Sequence, residues 1–386
     1  MRYFIDIILS ILLIVFLNYS AQPIYHILKR KIISRFFEGR ITDNELWHKQ
    51  VLKTCTKWII NTPTVSSTDN YQTLLQIISK KNRKSSIQVW QSASLYIALS
   101  ESREIKDRSV LNEFSEKVAN QYNLKNISDS DFGMLAFAVF DNPSFSDFKK
   151  SMLNYVSNNM TDDIIVYKSH AKKTAFIDTL GFVCPFLVKY GIDTKNDEYM
   201  NLAKKQFELY YKYGIEENSN LPFHAFDIEN HTKLGICDWA RGLAWLLIGL
   251  MDSYKVLIPS DIKDSFFEEE IKKYADIVLQ LQKPYGGYSW RLLSNYETDS
   301  SATAVFGWFL ACAGNIFGNN EYIAGAKKCR EFLRSKTRNS GAIDYCQGDT
   351  LGVGNYSRSF DIMPFAEGFA LRMHQELEYG REKIEI

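Results

Sequence analysis

Between residues 43 and 371 the chain alternates two kinds of segment, each too long for a strand and each closed by turn residues. One kind is nearly free of charge: 87–100, 132–140, 174–188, 239–251, 302–317 and 362–371. The other is amphipathic: 43–60, 106–122, 145–158, 196–213, 262–283 and 321–336. A helix that is apolar all round must be covered on every side, whereas an amphipathic helix needs cover on one face only. Strict alternation of the two kinds predicts two concentric rings of helices, an all-α (α/α)6 barrel. A solenoid would alternate similarly, but it repeats a motif at a fixed period, and none recurs here. The strand-like Gly286-Gly287-Tyr288-Ser289-Trp290-Arg291 predicts a loop or hairpin near one mouth. No Gly/Ser- or Pro-rich linker divides 43–380, which reads as one domain.

Ahead of the barrel, residues 7–17 are apolar except for Ser10. With Tyr3, Phe4 and Ile5 and a milder stretch to Leu28, the run reaches ~20 residues, about one bilayer span. The reading is a single-pass transmembrane helix within 1–28, followed by a basic linker over 29–42 that is either a topogenic signal or a solvated connector. A cleaved secretory signal is the alternative, although Asn18-Tyr19-Ser20 makes a poor cleavage site. Lys29, Arg30, Lys31 and Arg35 after the run favour a cytoplasmic barrel; a secreted sugar enzyme would want the opposite side, so the side stays open.

Composition removes several classes. The 46 Lys plus Arg balance 45 Asp plus Glu, for a net charge of +1, which leaves no basic footprint for nucleic acid. None of the six cysteines forms a CxxC pair, so all six read as reduced thiols. No two histidines share ligand spacing on one helix, so no metal is called for. There is no P-loop, and Gly352-Val353-Gly354 is too short for a dinucleotide fingerprint, so no cofactor is expected either.

Inner helices of such a barrel run parallel, so their N-termini meet at one end. That would gather Asp129, Asp131, Asp178, Asp238, Arg241, Glu297, Asp299 and Asp361 around one pocket. Helix capping is the plainer account of Asp129, Asp299 and Asp361. Asp178 differs, because it lies inside the apolar run Phe176-Ile177-Asp178-Thr179-Leu180-Gly181-Phe182, read as within the helix. A charge there is costly unless paired or functional, and burial favours its protonated, acid-competent form. Arg241 and Trp245 are four apart, on one helix face, where a guanidinium beside an indole could clamp a sugar carboxylate. The alternative for Arg241 is an ion pair with Asp178, Asp227 or Asp238. His224 is the one histidine placed to act on a sugar; His170 and His231 read as loop residues and His48 as lying on an exposed helix face.

The run Asp178-Thr179-Leu180 followed by Pro185-Phe186-Leu187 resembles a segment of the unsaturated uronyl hydrolases, which include the unsaturated rhamnogalacturonyl and glucuronyl enzymes. Pro222-Phe223-His224-Ala225-Phe226-Asp227, Trp239-Ala240-Arg241-Gly242-Leu243-Ala244-Trp245 and Glu297-Thr298-Asp299-Ser300-Ser301-Ala302-Thr303-Ala304 are similar to three further segments in the same order. Lys168 stands ten residues before Asp178, where that family has a substrate-side lysine. The resemblance implies a six-hairpin glycosidase that hydrates the C4=C5 double bond of a terminal unsaturated uronate. It implies Asp178 as the acid/base, Asp129 as a second active-site acid with Asp131 as competitor, and Lys168, His224, Arg241 and Trp245 as sugar-binding residues. The partner would be a uronate-containing oligosaccharide. Leu243 and Ala244 depart from the family's Asn and Gly. The alternatives are a non-catalytic, membrane-anchored protein of polysaccharide biosynthesis or binding, and an epimerase or lyase on the same barrel.

Overall fold

A computed structural model describes residues 2–63, 65, 89–105, 108–350 and 352–380, with the side chains of 2, 18–27 and 29–31 not described. Residues 87–88 and 106–107 of the expected helices, and part of the expected barrel span, lie outside the described residues. Helix α1 (Arg2–Lys31) comes first. Six outer helices follow: α2 (Asn44–Ile60), α4 (Ser109–Gln121), α6 (Ser146–Asn158), α8 (Asp197–Tyr213), α10 (Ser265–Leu281) and α12 (Asn320–Ser335). They alternate with six inner helices: α3 (Val89–Glu101), α5 (Phe132–Ala138), α7 (Asp178–Thr194), α9 (Ala240–Leu257), α11 (Ser300–Phe317) and α13 (Pro364–Tyr379). Each inner helix packs on the next, and α13 returns to α3, so the inner ring closes. The (α/α)6 barrel follows from the alternation as expected.

The two rings differ as their sequences require. On α8, Ala203, Gln206, Phe207 and Tyr210 form one buried stripe. On α11 all residues from Ser300 to Gly314 are buried. Outer helices α2, α8, α10 and α12 are capped by Asp43, Asn196, Asp264 and Asn319, whose side chains accept backbone N–H bonds. Inner helices α5, α7, α9 and α13 have no side-chain cap. Loop and neighbouring groups take up first-turn N–H bonds instead: Ala240 N–H donates to Trp290 O at 2.9 Å and Phe365 N–H to Gln91 Oε1 at 3.0 Å.

Contact between α7 and α9 is close because glycine faces backbone. A Cβ on Gly181 would sit 2.6 Å from the Trp245 carbonyl oxygen, and one on Gly249 would sit 2.7 Å from that of Leu180.

Short strands close the mouth. β3 (Thr174–Phe176), β4 (Ala225–Asp227) and β5 (Lys233–Leu234) form an antiparallel sheet in which Phe176 pairs with Ala225. β6 (Cys346–Gln347) pairs with β7 (Phe360–Asp361), while β1 (Met160–Thr161) and β2 (Ile164–Ile165) form a small hairpin. The expected hairpin around Gly286 is present: Ser289 bridges Thr298, and Trp290 N–H donates to Glu297 O at 2.9 Å.

Three expectations change. The segment expected as helix from 174 starts as a strand, because Thr174–Phe176 pairs with β4, and α7 begins only at Asp178. Linker 29–42 is not a solvated connector throughout. Arg35 Nε and Nη2 donate to both Asp344 oxygens at 2.7 and 2.8 Å, and Nη2 also to Phe360 O at 2.8 Å. Gly39 N–H donates to Thr337 O at 2.9 Å. Finally, the apolar stretch of α1 with described side chains is Tyr3–Leu17, shorter than the ~20 residues of a full span. Among the described residues, the helices long and apolar enough to cross a membrane are Ala240–Ser260 and Ser300–Phe317, and both are buried core helices of the barrel.

The α7–α9 contact predicts that Gly181→Ala lowers unfolding free energy by about 1–3 kcal/mol through overpacking. A denaturant titration followed by circular dichroism measures it, and a surface change such as Asp193→Ala serves as the control.

Candidate active site

Asp178 lies within α7, as its apolar flanks suggested, and is its first residue, at the mouth. The strand β3 delivers it there: Ile177 N–H donates to His224 O at 3.1 Å and ends the strand pairing one residue before the helix starts. Its side chain keeps 15% of its exposure, while Oδ2 is buried with no hydrogen-bond partner. Burial pushes its pKa up to about 7, against the backbone N–H and Arg241, which pull it down. Asp349 adds a smaller upward push.

His224 faces this carboxyl, with Nε2 3.7 Å from Asp178 Oδ2. Burial and the charge of Arg241 hold the imidazole pKa down at about 3. The pair is therefore a neutral imidazole beside a carboxyl whose pKa burial lifts to about 7, not an ion pair. Tyr356 holds the other ring nitrogen. Its Oη accepts the Ile236 N–H at 3.1 Å and lies 3.1 Å from His224 Nδ1. With the Tyr356 hydroxyl as donor in that contact, the proton of the neutral imidazole is on Nε2, toward Asp178. Trp239 and Phe176 wall the imidazole at 4.6 and 5.6 Å between ring centroids.

Two further carboxyls stand at the start of α5. Asp129 pairs across an isolated β-bridge with Lys168 and accepts from Ser128 Oγ at 3.1 Å. Burial raises its pKa, with Ser128 and Lys168 opposing. Asp131 accepts from Tyr167 Oη at 2.5 Å. Burial, then the Asp129 charge, holds it well above the carboxylate range. Asp349 and Asp178 push it the same way. Both acids therefore belong to one cluster with Asp178, and the structure keeps Asp131 in play. Lys168 is exposed, its ammonium 5.4 Å from the Tyr167 ring centroid.

Other residues depart from expectation. Arg241 pairs with none of the expected carboxylates. It is 1% exposed and donates to the carbonyls of Gln347 at 2.6 Å and Gly348 at 2.7 Å, with Thr350 Oγ1 at 3.3 Å. Its guanidinium anchors the loop after β6 and reaches Asp178 as a field. Trp245 is buried among Trp90, Phe182 and Phe365 at 5.3, 4.4 and 5.0 Å. One turn below Arg241, it packs the inner ring and offers no stacking face. Leu243 is fully buried as well, so this departure from the family pattern lies in the core. Asp238 accepts from Arg291 Nε at 3.0 Å, and Glu297 is exposed. Asp299 does cap α11, accepting from Ser301 N–H at 2.9 Å. Asp361 instead accepts from Arg338 and from Ile362 N–H. His48 is buried, 2.6 Å from Glu104 and stacked on His374, not exposed.

Sequence reasoning missed Asp349, Tyr356 and Tyr167. The first two lie in the loop between β6 and β7, where no helical period marks them. Tyr167 precedes Lys168 and carried no motif.

The sequence profile of Glycosyl Hydrolase Family 88 matches residues 104–378. The chain belongs to that family. It is thereby a glycoside hydrolase family member, as the uronyl hydrolase resemblance implied. No curated protein shows significant similarity to it. Among solved structures, a possible member of the GH105 family from Salmonella enterica serovar Paratyphi A superposes with TM-score 0.70 at 17% identity, covering 89% of this chain and 96% of that one. An unsaturated glucuronyl hydrolase specific for heparin gives 0.65 at 16%, covering 88% and 98%. The unsaturated glucuronyl hydrolase from Bacillus sp. GL1, responsible for the degradation of glycosaminoglycan, gives 0.61 at 17%, covering 86% and 95%. At these identities the likeness is one of fold, and it agrees with the closed ring of this family 88 protein.

The Tyr356 contact yields a direct test. In Tyr356→Phe the His224 ring loses its Nδ1 partner, and ring nitrogen NMR is expected to change from a single Nε2–H tautomer to a mixture. An unchanged tautomer would remove Tyr356 from the site.

Proposed function

We propose that this chain hydrates the C4=C5 double bond of an unsaturated uronate at the non-reducing end of an oligosaccharide, with Asp178 as acid and then base. The observation that carries the reading is Asp178 itself: a carboxyl at a helix start with its pKa pushed up to about 7 and Oδ2 buried and unpartnered. A general acid works best with a pKa near the working pH. Protonated Asp178 gives its proton to C4. The π pair of the double bond forms the C4–H bond, and positive charge spreads over C5 and the ring oxygen. Water adds its oxygen at C5 and returns a proton to the Asp178 carboxylate. The hemiketal so formed opens and releases the sugar, with one water consumed.

Neutral His224, its Nε2 proton toward Asp178, orients the acid and the incoming water. Lys168, exposed on the rim, suits the substrate carboxylate, which the buried Arg241 supports through its field. Burial raises the pKa of Asp129 and Asp131, which favours their neutral forms, lessens repulsion of a uronate and suits them to donate to sugar oxygens. The exposed apolar run of α1 supports attachment of the barrel to a membrane at its N-terminus.

The test uses oligosaccharides made by polysaccharide lyases and follows loss of the enoyl ultraviolet absorbance. Turnover is expected to fall as pH rises above about 7, because a raised carboxyl pKa supplies the acid only below it. Asp178→Asn is expected to cost roughly 10²–10⁴ in rate. No absorbance loss with any uronate series, together with no effect of Asp178→Asn, would reject the reading.

A further inference from the structure

We propose that the mouth of the barrel is turned toward a membrane, so that the glycan it takes is one presented from the bilayer surface. This rests on the anchor reading given under the proposed function and adds an orientation to it.

Three observations carry it. First, the apolar side chains of α1 from Tyr3 to Leu17 are exposed on every face of the helix. A protein groove covers one face, whereas a lipid phase covers all of them. Second, the tether is not free to swivel. Arg35 grips Asp344 bidentately and Phe360 O, with its guanidinium 4.3 Å from the Tyr345 ring centroid. Those residues lie at the mouth: Tyr345 O accepts from Ser300 N–H, the first residue of α11, and the next carbonyls hold Arg241 at the start of α9. The chain therefore leaves the barrel from the face that carries Asp178. From Leu17 the α-helix runs about 21 Å to Lys31 and a 3-10 turn, Ile33–Arg35, follows, so the apolar run ends within about 30 Å of that face.

Third, the mouth side carries an apolar and aromatic rim. Phe36 is 68% exposed and Phe37 47%, beside the grip. Tyr285, Leu293 and Tyr296 are 53%, 58% and 48% exposed around the 288–298 hairpin. Aromatic side chains with a polar tip suit the bilayer interface. Away from the tether, beyond the C-terminal end of α9, the exposed large apolar residues are Ile258 and Ile262, at 40% and 37%. Lys29, Arg30 and Lys31 between run and grip suit anionic headgroups.

The experiment uses the full chain in a Cys237→Ser background, labelled at Leu293→Cys on the mouth or at Asp193→Cys near the far end of α7. It is mixed with phosphatidylcholine/phosphatidylglycerol vesicles carrying a headgroup quencher. The expected result is flotation with the vesicles, quenching of the mouth label and none of the far label. Arg35→Gln is expected to float but to lose that contrast. Flotation with equal quenching, or with the far label quenched more, overturns the orientation alone. Failure to float overturns the anchor and the orientation with it. Neither readout depends on catalysis, so an inactive but correctly oriented barrel would count against the uronate reading only. In an active preparation, an oligosaccharide carried on a vesicle lipid is turned over faster than the same one free. Arg35→Gln brings that ratio toward one.

Discussion

The site depends on keeping a carboxylic acid where water cannot stabilise its charge. Asp178 sits at a helix start, a position that ordinarily favours the carboxylate. Here burial outweighs the backbone N–H and the Arg241 charge, and the pKa is pushed up to about 7. The neighbouring groups are consistent with that outcome. His224 is held neutral, Arg241 binds two carbonyls, and among the described residues Oδ2 has no hydrogen-bond partner. A free arginine in direct contact would have lowered the acid and removed its proton.

The barrel was legible because its two rings demand different sequences. Full burial of an inner helix excludes charge, as along α11, while one-sided burial leaves the stripe seen on α8. Element ends were less legible. The run 174–188 looks continuous in hydrophobicity, yet three residues of it belong to a strand, because pairing with 225–227 is a long-range choice that local periodicity does not encode.

Of the site, the acids and His224 were readable from their unusual settings. Arg241 and Trp245 were readable as a pair on one helix face, but not the depth at which that face lies. Their i, i+4 spacing holds, yet it points Trp245 into an aromatic cluster and Arg241 under a loop. Asp349 and Tyr356 come from a loop whose position is fixed only by the folded strands β6 and β7 and by Arg241 itself. His48 shows the same limit: its partner, His374, is more than 300 residues away in sequence.

The segment 344–350 joins these threads. It receives Arg35 from the linker, accepts the Arg241 side chain from α9 and the Ser300 N–H that starts α11, and brings Asp349 toward the acids. The N-terminal connector and the catalytic mouth therefore share one piece of backbone. The central claim is the state of Asp178, and carbon-13 NMR of its carboxyl against pH reads it directly. A midpoint near 7 is predicted; a midpoint near the ordinary 3.8 would contradict the account.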